Sequence, residues 1–147
     1  MTTPVRIDRV TAVDAGPRER VALAMSAHDR RRVRRRLVAP DGSVFELALP
    51  TGSVLTVGQV LHADEHRAYV ITAAAEETLV VAPRDLAEAA RAGHLIGNLH
   101  RDVDVLDDGR LVTLAEPTLE ARLRAAGLSV QREQRSFHGR APGEHAH

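Results

Sequence analysis

The hydrophobic rhythm of this chain changes once, and the change limits what it can fold into. Up to about residue 73 the apolar residues come in short runs at every second position; from Asp85 they recur at helical spacing. In the first part, Arg34 to Val38 is followed by Ala39-Pro40-Asp41-Gly42-Ser43, a turn built on Pro and Asp-Gly. Phe45, Leu47 and Leu49 then share one face, Pro50-Thr51-Gly52-Ser53 turns the chain again, and Val54 to Leu61 and Ala68 to Ile71 read as further strands. Short strands punctuated roughly every 8 to 12 residues predict a small β-barrel or sandwich. No stretch before residue 80 carries a clear helical period, and Arg18 to Met25 is ambiguous.

The second part alternates. Thr78 to Ala82 reads as a strand. A helix starts at Asp85, a fair N-cap, with Leu86, Ala89, Ala90, Gly93 and Ile96 on one face and Gly97-Asn98 as its stop. Asp102 to Leu106 and Arg110 to Leu114 flank Asp107-Asp108-Gly109, a hairpin turn. Pro117 opens a second helix carrying Leu119, Leu123 and Ala126, Gly127 closes it, and Leu128 to Arg132 is the last strand. The order βαββαβ is the split ferredoxin-like unit. The expected fold is α+β: a β-domain over residues 1–73, a ferredoxin-like domain over 74–136, and a histidine-containing tail over 137–147.

Composition removes several function classes. Lysine plus arginine and aspartate plus glutamate balance at 20 each, so the bulk charge gives no reason to expect nucleic acid or an anionic membrane as partner. The run Arg30-Arg31-Arg32-Val33-Arg34-Arg35-Arg36 lacks accompanying aromatics for base stacking. It reads first as a charged edge strand, second as a protein-partner surface and only third as a nucleic-acid contact. No apolar run approaches the roughly 20 residues of a membrane span, and the start of the chain has no signal-peptide core, so a cytoplasmic location is expected. With no cysteine, thiol nucleophiles, thiolate metal sites and disulfides are excluded. There is no G-x-S-x-G elbow, Walker loop or dinucleotide glycine loop, and no enzyme is expected.

Histidine is what remains. The chain has eight, and imidazole suits nickel, copper and zinc divalent ions. His100 ends the run Gly97-Asn98-Leu99-His100 on a turn between helix and strand, and His138, His145 and His147 lie in the last ten residues. One histidine on a structured turn plus a His-x-His tail suits a site that takes up a metal and gives it away. The candidate metal ligands are therefore His100, His138, His145 and His147. From the residues alone, His100 reads first as a helix-end cap favoured by the dipole, with ligation second. His28, His62 and His66 sit among charges and turns and are expected at the surface, and His94 is expected to pack or face solvent.

Gly97-Asn98-Leu99-His100 resembles the Gly-Asn-Arg-His signature of UreE, the nickel-binding urease accessory protein family. Asp41-Gly42 through Leu47-Ala48-Leu49-Pro50-Thr51-Gly52-Ser53-Val54-Leu55 and Gly58 is similar to that family's DG…LP-x-G-x-x-L…G stretch, and Thr118 to Leu123 falls where the family has its Val-Leu-Asp-Asp-Met-Leu helix. The resemblance runs from about Arg30 to Phe137. It implies a β-domain plus a ferredoxin-like metal-binding domain, a homodimer, and transfer of Ni(II) towards urease with a maturation GTPase and the urease apoprotein complex; Zn(II) or Cu(II) would suit the same site. It places ligation ahead of capping for His100.

The chain departs from the family pattern: Leu99 stands for the family's Arg, His94 for its Tyr, the His-x-His that some members carry just before the second helix is absent, and the tail holds too few histidines for bulk nickel storage. A lone His100 is one ligand, and His94 lies on another side of any continuous helix. A two-fold dimer pairs His100 with its own copy, and tail imidazoles complete the set. Because the ligand is neutral imidazole, with an ordinary pKa of about 6.5, uptake should weaken in acid. The alternative function is a protein-interaction scaffold in a urease-type assembly complex, with metal binding weak or lost.

Overall fold

Residues 3–139 are described by a computed structural model. The chain forms two compact units that meet in sequence between Ala73 and Ala74. The first unit holds β1 (Val5–Ile7), β2 (Glu19–Met25), α1 (Ala27–Arg31), β3 (Arg34–Val38), β4 (Val44–Ala48), β5 (Val60–Ala63) and β6 (Arg67–Ala73). They form two three-stranded sheets, ordered β1-β4-β3 and β2-β6-β5. Each sheet is mixed: β1 runs parallel to β4 and β2 parallel to β6, while β3 and β5 join antiparallel. The inward positions of both sheets, among them Ile7, Leu23, Met25, Phe45, Leu47, Tyr69 and Ile71, make one core, which is the packing of a sandwich.

Three features of this unit differ from the sequence reading. The ambiguous Arg18–Met25 stretch is strand β2, with Val21, Leu23 and Met25 buried at period two. It is followed by a helix that no periodicity announced. The five residues of α1 are too few to show a period, but Ser26 and Asp29 close a capping box: Ser26 Oγ accepts from the Asp29 amide at 3.0 Å and Asp29 Oδ2 from the Ser26 amide at 3.3 Å. Strand structure is also absent from 54–59, because Gly58 adopts φ +92° in a turn whose Gly58 and Gln59 amides bond back to Ile71 and Thr56; β5 starts only at Val60.

The arginine run is split by α1. Arg34–Arg36 do lie on an edge strand, β3. Arg30 is buried, however, and its Nη1 donates to the Met25 carbonyl at 2.7 Å; the end of β2 supplies an acceptor that makes burial of that guanidinium tolerable. His62 also departs from its expected surface position. It is half-buried, its ring 5.7 Å from that of Phe45, which meets Tyr69 edge-on at 4.8 Å.

The second unit holds β7 (Ala75–Val81), α2 (Leu86–Asn98), β8 (Asp104–Val105), β9 (Leu111–Leu114), α3 (Pro117–Ala125) and β10 (Val130–Ser136). The sheet order is β10-β7-β9-β8 with all neighbours antiparallel, the ferredoxin-like arrangement expected of βαββαβ. The fold class is α+β. Gly109, at φ +89°, makes the β8–β9 hairpin turn, where the Leu106 amide donates to Arg110. One core gathers Leu79 and Val81 of β7, Ala92 and Ile96 of α2, Leu119 and Leu123 of α3, and Val130 of β10.

The buried face of α2 is not the one first read. Glu88, Ala92 and Ile96 are buried, with Leu95 and Leu99 packed beside them, whereas Leu86 is 89% exposed. Glu88 hides the phase because a carboxylate occupies a core-facing position. It can do so because Arg84 donates to it three times, from its amide and from Nε and Nη2, at 2.6–3.1 Å.

Candidate metal centre

Helix α2 continues through Gly97 and Asn98, so neither is the stop expected. The C-cap is Leu99, and the chain reverses one residue later, at His100, whose φ of +57° makes it the described non-glycine residue with a left-handed backbone. The His100 amide donates to Gly97 at 2.9 Å and the Arg101 amide to Ile96 at 3.2 Å. These are the two bonds of a Schellman motif, with histidine in the position where glycine is the usual residue. The side chain that begins there is exposed.

Both neighbours of His100 are held. Leu99 packs against the core of the unit, so the residue that stands for the family's Arg secures the turn by apolar contact. Arg101 is held by charge: its Nε and Nη2 donate to Glu116 Oε2 and Oε1 at 2.6 and 2.9 Å, and its Nη1 donates to the Leu99 carbonyl at 3.2 Å. This fork is the bidentate geometry that guanidinium and carboxylate favour. Hydrogen bonds from Arg101, with its positive charge, keep the Glu116 carboxyl below its ordinary range despite partial desolvation. Glu116 is the N-cap residue of α3, so the His100 turn is tied to the start of the next helix. Sequence reading missed this pair; its partners are 15 residues apart and no local pattern links them.

His138 lies just beyond β10, exposed, and its amide donates to Asp104 Oδ2 at 2.9 Å. The Gly139 amide donates to the other carboxylate oxygen, Oδ1, at 2.8 Å. His145 and His147 lie outside the described residues. His94 is exposed on α2, and His28 and His66 are exposed in the first unit. Among the described residues, no group of three or more histidine, aspartate or glutamate side chains is gathered closely enough to hold a metal. What a described chain offers is one exposed imidazole on a fixed turn. That is a partial donor set, which an imidazole from a second source can extend.

A strand-built first unit followed by a ferredoxin-like second unit makes a two-unit α+β protein that presents a histidine on a braced turn. Residues 5–74 match the UreE urease accessory protein, N-terminal domain, and residues 76–147 match the UreE urease accessory protein, C-terminal domain. The chain is 50% identical over 134 residues to the urease accessory protein UreE of Deinococcus radiodurans, covering 91% of this chain and 84% of that one. It is 54% identical over 117 residues to the UreE of Synechococcus sp. (strain JA-3-3Ab), 80% of this chain and 78% of that one. At 35% identity over 130 residues it matches the UreE of Burkholderia vietnamiensis, 86% of this chain and 64% of that one.

The chain belongs to the UreE family of urease accessory proteins. It is an accessory protein of the urease maturation machinery and not an enzyme. No helix among the described residues is long and apolar enough to cross a membrane.

Proposed function

We propose that this protein carries Ni(II) as cargo to the maturing urease active site, acting as a cytoplasmic homodimer with the urease-maturation GTPase and the urease apoprotein complex. The observation that carries the reading is His100, exposed and left-handed, on a turn braced by Leu99 and by the Arg101–Glu116 fork. In a two-fold dimer two copies of this turn meet about the axis and supply two imidazoles. His145 and His147, with His138 at the root of the tail, supply further imidazoles. Such ligands exchange without unfolding anything, which suits a protein that must release its metal. Zn(II) and Cu(II) use the same donors, and Cu(II) competes well at any imidazole set.

The test is a calorimetric titration of nickel into metal-free protein and into its His100→Ala variant, with the mass of each sample measured in parallel. The expected result is a dimer that binds about one strong ion per two chains, with that binding lost in the variant. Weak binding that ignores His100→Ala overturns the reading and leaves the protein as a scaffold in the assembly complex. One strong ion per single chain overturns the placement of His100 on the axis.

A further inference from the structure

The sandwich of the first unit leaves two strand edges open. β2 is an edge of the sheet β2-β6-β5, and β3 is an edge of the sheet β1-β4-β3. Hydrogen-bond parity tells which backbone groups these edges leave over. At the two ends of the β3–β4 ladder the Ala39 amide donates to Ser43 and the Leu49 amide to Val33, both at 2.8 Å. Between them the register pairs Arg35 with Leu47 and Leu37 with Phe45. Bonded pairs alternate in an antiparallel ladder, so the amides and carbonyls of Arg34, Arg36 and Val38 point away from β4. On β2 the Glu19 amide donates to His66 at 2.9 Å. That bond gives the odd-numbered residues of β2 to β6 and leaves Ala22 and Ala24 facing outward.

Both sets of spare groups open into one cleft. A groove of about 410 Å³ is lined by residues 22–25 of β2 and 35–38 of β3, with Pro40, and that volume is in the range of ordinary ligand clefts. Leu23, Met25 and Leu37 are its buried apolar members. Arg35 gives it a sign. It shares a face of β3 with Leu37, and its Nε and Nη1 are buried with no hydrogen-bond partner among the described residues. Nη1 lies 3.3 Å from Asp29 Oδ1, as an ion pair only. A buried donor without an acceptor is costly, and an oxygen entering the cleft would satisfy it. Arg34 and Arg36 are exposed and stand in no ion pair among the described residues. Glu46, across from Arg36 on β4, offsets part of their charge, and the edge stays positive.

We propose that this groove docks an extended, acidic segment of a partner protein, added as a strand to the β3 edge with a carboxylate on Arg35. Strand addition uses the main-chain groups an edge leaves free, while side-chain pockets supply the selectivity. Here Arg36 and Val38 offer the main-chain bonds, and the arginines select carboxylates. The groove lies wholly within the first unit, so the proposal stands apart from nickel and His100.

The experiment titrates a fluorescein-labelled octapeptide of alternating valine and glutamate into the full-length, metal-free protein and follows its anisotropy. The controls are the valine–lysine octapeptide and a single-stranded oligonucleotide of equal charge. The valine–glutamate peptide should bind at least about tenfold more tightly than either. Arg35→Gln should weaken it about tenfold, the scale of one charge-assisted bond. Arg36→Pro removes an amide that the sheet does not use, which an edge strand tolerates, and should bind less tightly than Arg36→Ala. Hydrogen exchange of the unsubstituted protein checks the same point without any variant: the peptide should slow the Arg36 and Val38 amides and leave Leu37, already bonded to β4, as it was. Exchange at Arg36 and Val38 that ignores the peptide overturns the docking groove, and the edge arginines then serve to keep strands off β3. Equal binding of the lysine peptide, preference for the oligonucleotide, or undiminished binding by Arg35→Gln overturns it too.

Discussion

The amide of His100 donates to the carbonyl of Gly97 across 2.9 Å, and that bond keeps a histidine in a backbone position that glycine fills at most helix ends. A left-handed backbone costs an L-residue roughly 1–2 kcal/mol. Such strain persists where its surroundings over-determine it, and here they do: Leu99 is packed on one side and Arg101 is forked to Glu116 on the other. The reversal also turns the imidazole outward at the end of a rigid helix rather than from a loop free to collapse.

Replacing His100 with glycine should therefore raise stability and remove function in one step. His100→Gly is expected to stabilise the second unit by up to about 1 kcal/mol, the relieved strain less the greater unfolded-state freedom of glycine, raising its melting point by a few degrees. Nickel binding should be lost. Differential scanning calorimetry beside a nickel titration checks both; a lower melting point would mean that the imidazole itself holds the helix end.

Arg30 and Arg34 should behave oppositely although both belong to one arginine run. Arg30 is buried with Nη1 on the Met25 carbonyl, while Arg34 is exposed on the β3 edge. Arg30→Ala should destabilise the first unit by about 2 kcal/mol, the scale of a charge-assisted bond lost from a buried site. Arg34→Ala should stay within about 0.5 kcal/mol. Urea unfolding of the two variants decides it, and equal effects would show that the run acts as a single charged surface.

How far the fold could be read from the residues depended on how local each signal was. Pro117 and Gly127 at the ends of α3, and Asp107-Asp108-Gly109 in the β8–β9 hairpin, act within a few residues and were legible as written. The parallel partnering of β1 with β4 and β2 with β6 was not, because β1 is three residues long and its partner lies far along the chain. The face of α2 was misjudged because Glu88 is buried through bonds to Arg84 that a hydrophobic count cannot see. At the site, His100 stood out by its neighbours. Glu116, which holds the turn through Arg101, and Asp104, whose carboxylate accepts from the His138 and Gly139 amides, gave no sign in composition or spacing.

Asp41 should make the first unit acid-sensitive over a defined window. Burial alone would raise its carboxyl, but the Ser43 amide at 2.9 Å, the Tyr69 hydroxyl at 2.8 Å and Arg67 Nη1 at 2.8 Å all donate to it and lower it to about 2 from an ordinary 3.8. Its folded-state value is depressed, so the stability it contributes is complete above pH 3.8 and is lost as pH falls towards 2. The urea midpoint of the first unit should drop across that window in the wild type and drop less in Asp41→Asn, which starts lower at neutral pH. Parallel curves for the two proteins would remove Asp41 from the acid response.

The Arg101–Glu116 fork should matter to the turn more than to the fold. Both side chains are partly exposed, so breaking the pair is expected to move the unfolding midpoint little. The fork nonetheless joins the residue after His100 to the N-cap residue of α3, and with Glu116→Ala the turn keeps its two backbone bonds, the packing of Leu99 and the Arg101 Nη1 bond to the Leu99 carbonyl. Amide exchange at His100 and Arg101 should then quicken while Leu79 and Val81 in the core of the sheet keep wild-type protection. Nickel should dissociate faster from the variant, because a ligand on a looser turn leaves more readily, and the loss should exceed anything predicted from the small change in stability. Unchanged exchange at His100, with unchanged nickel release, would mean that Leu99 and the Schellman bonds hold the turn unaided and that the fork serves only the start of α3.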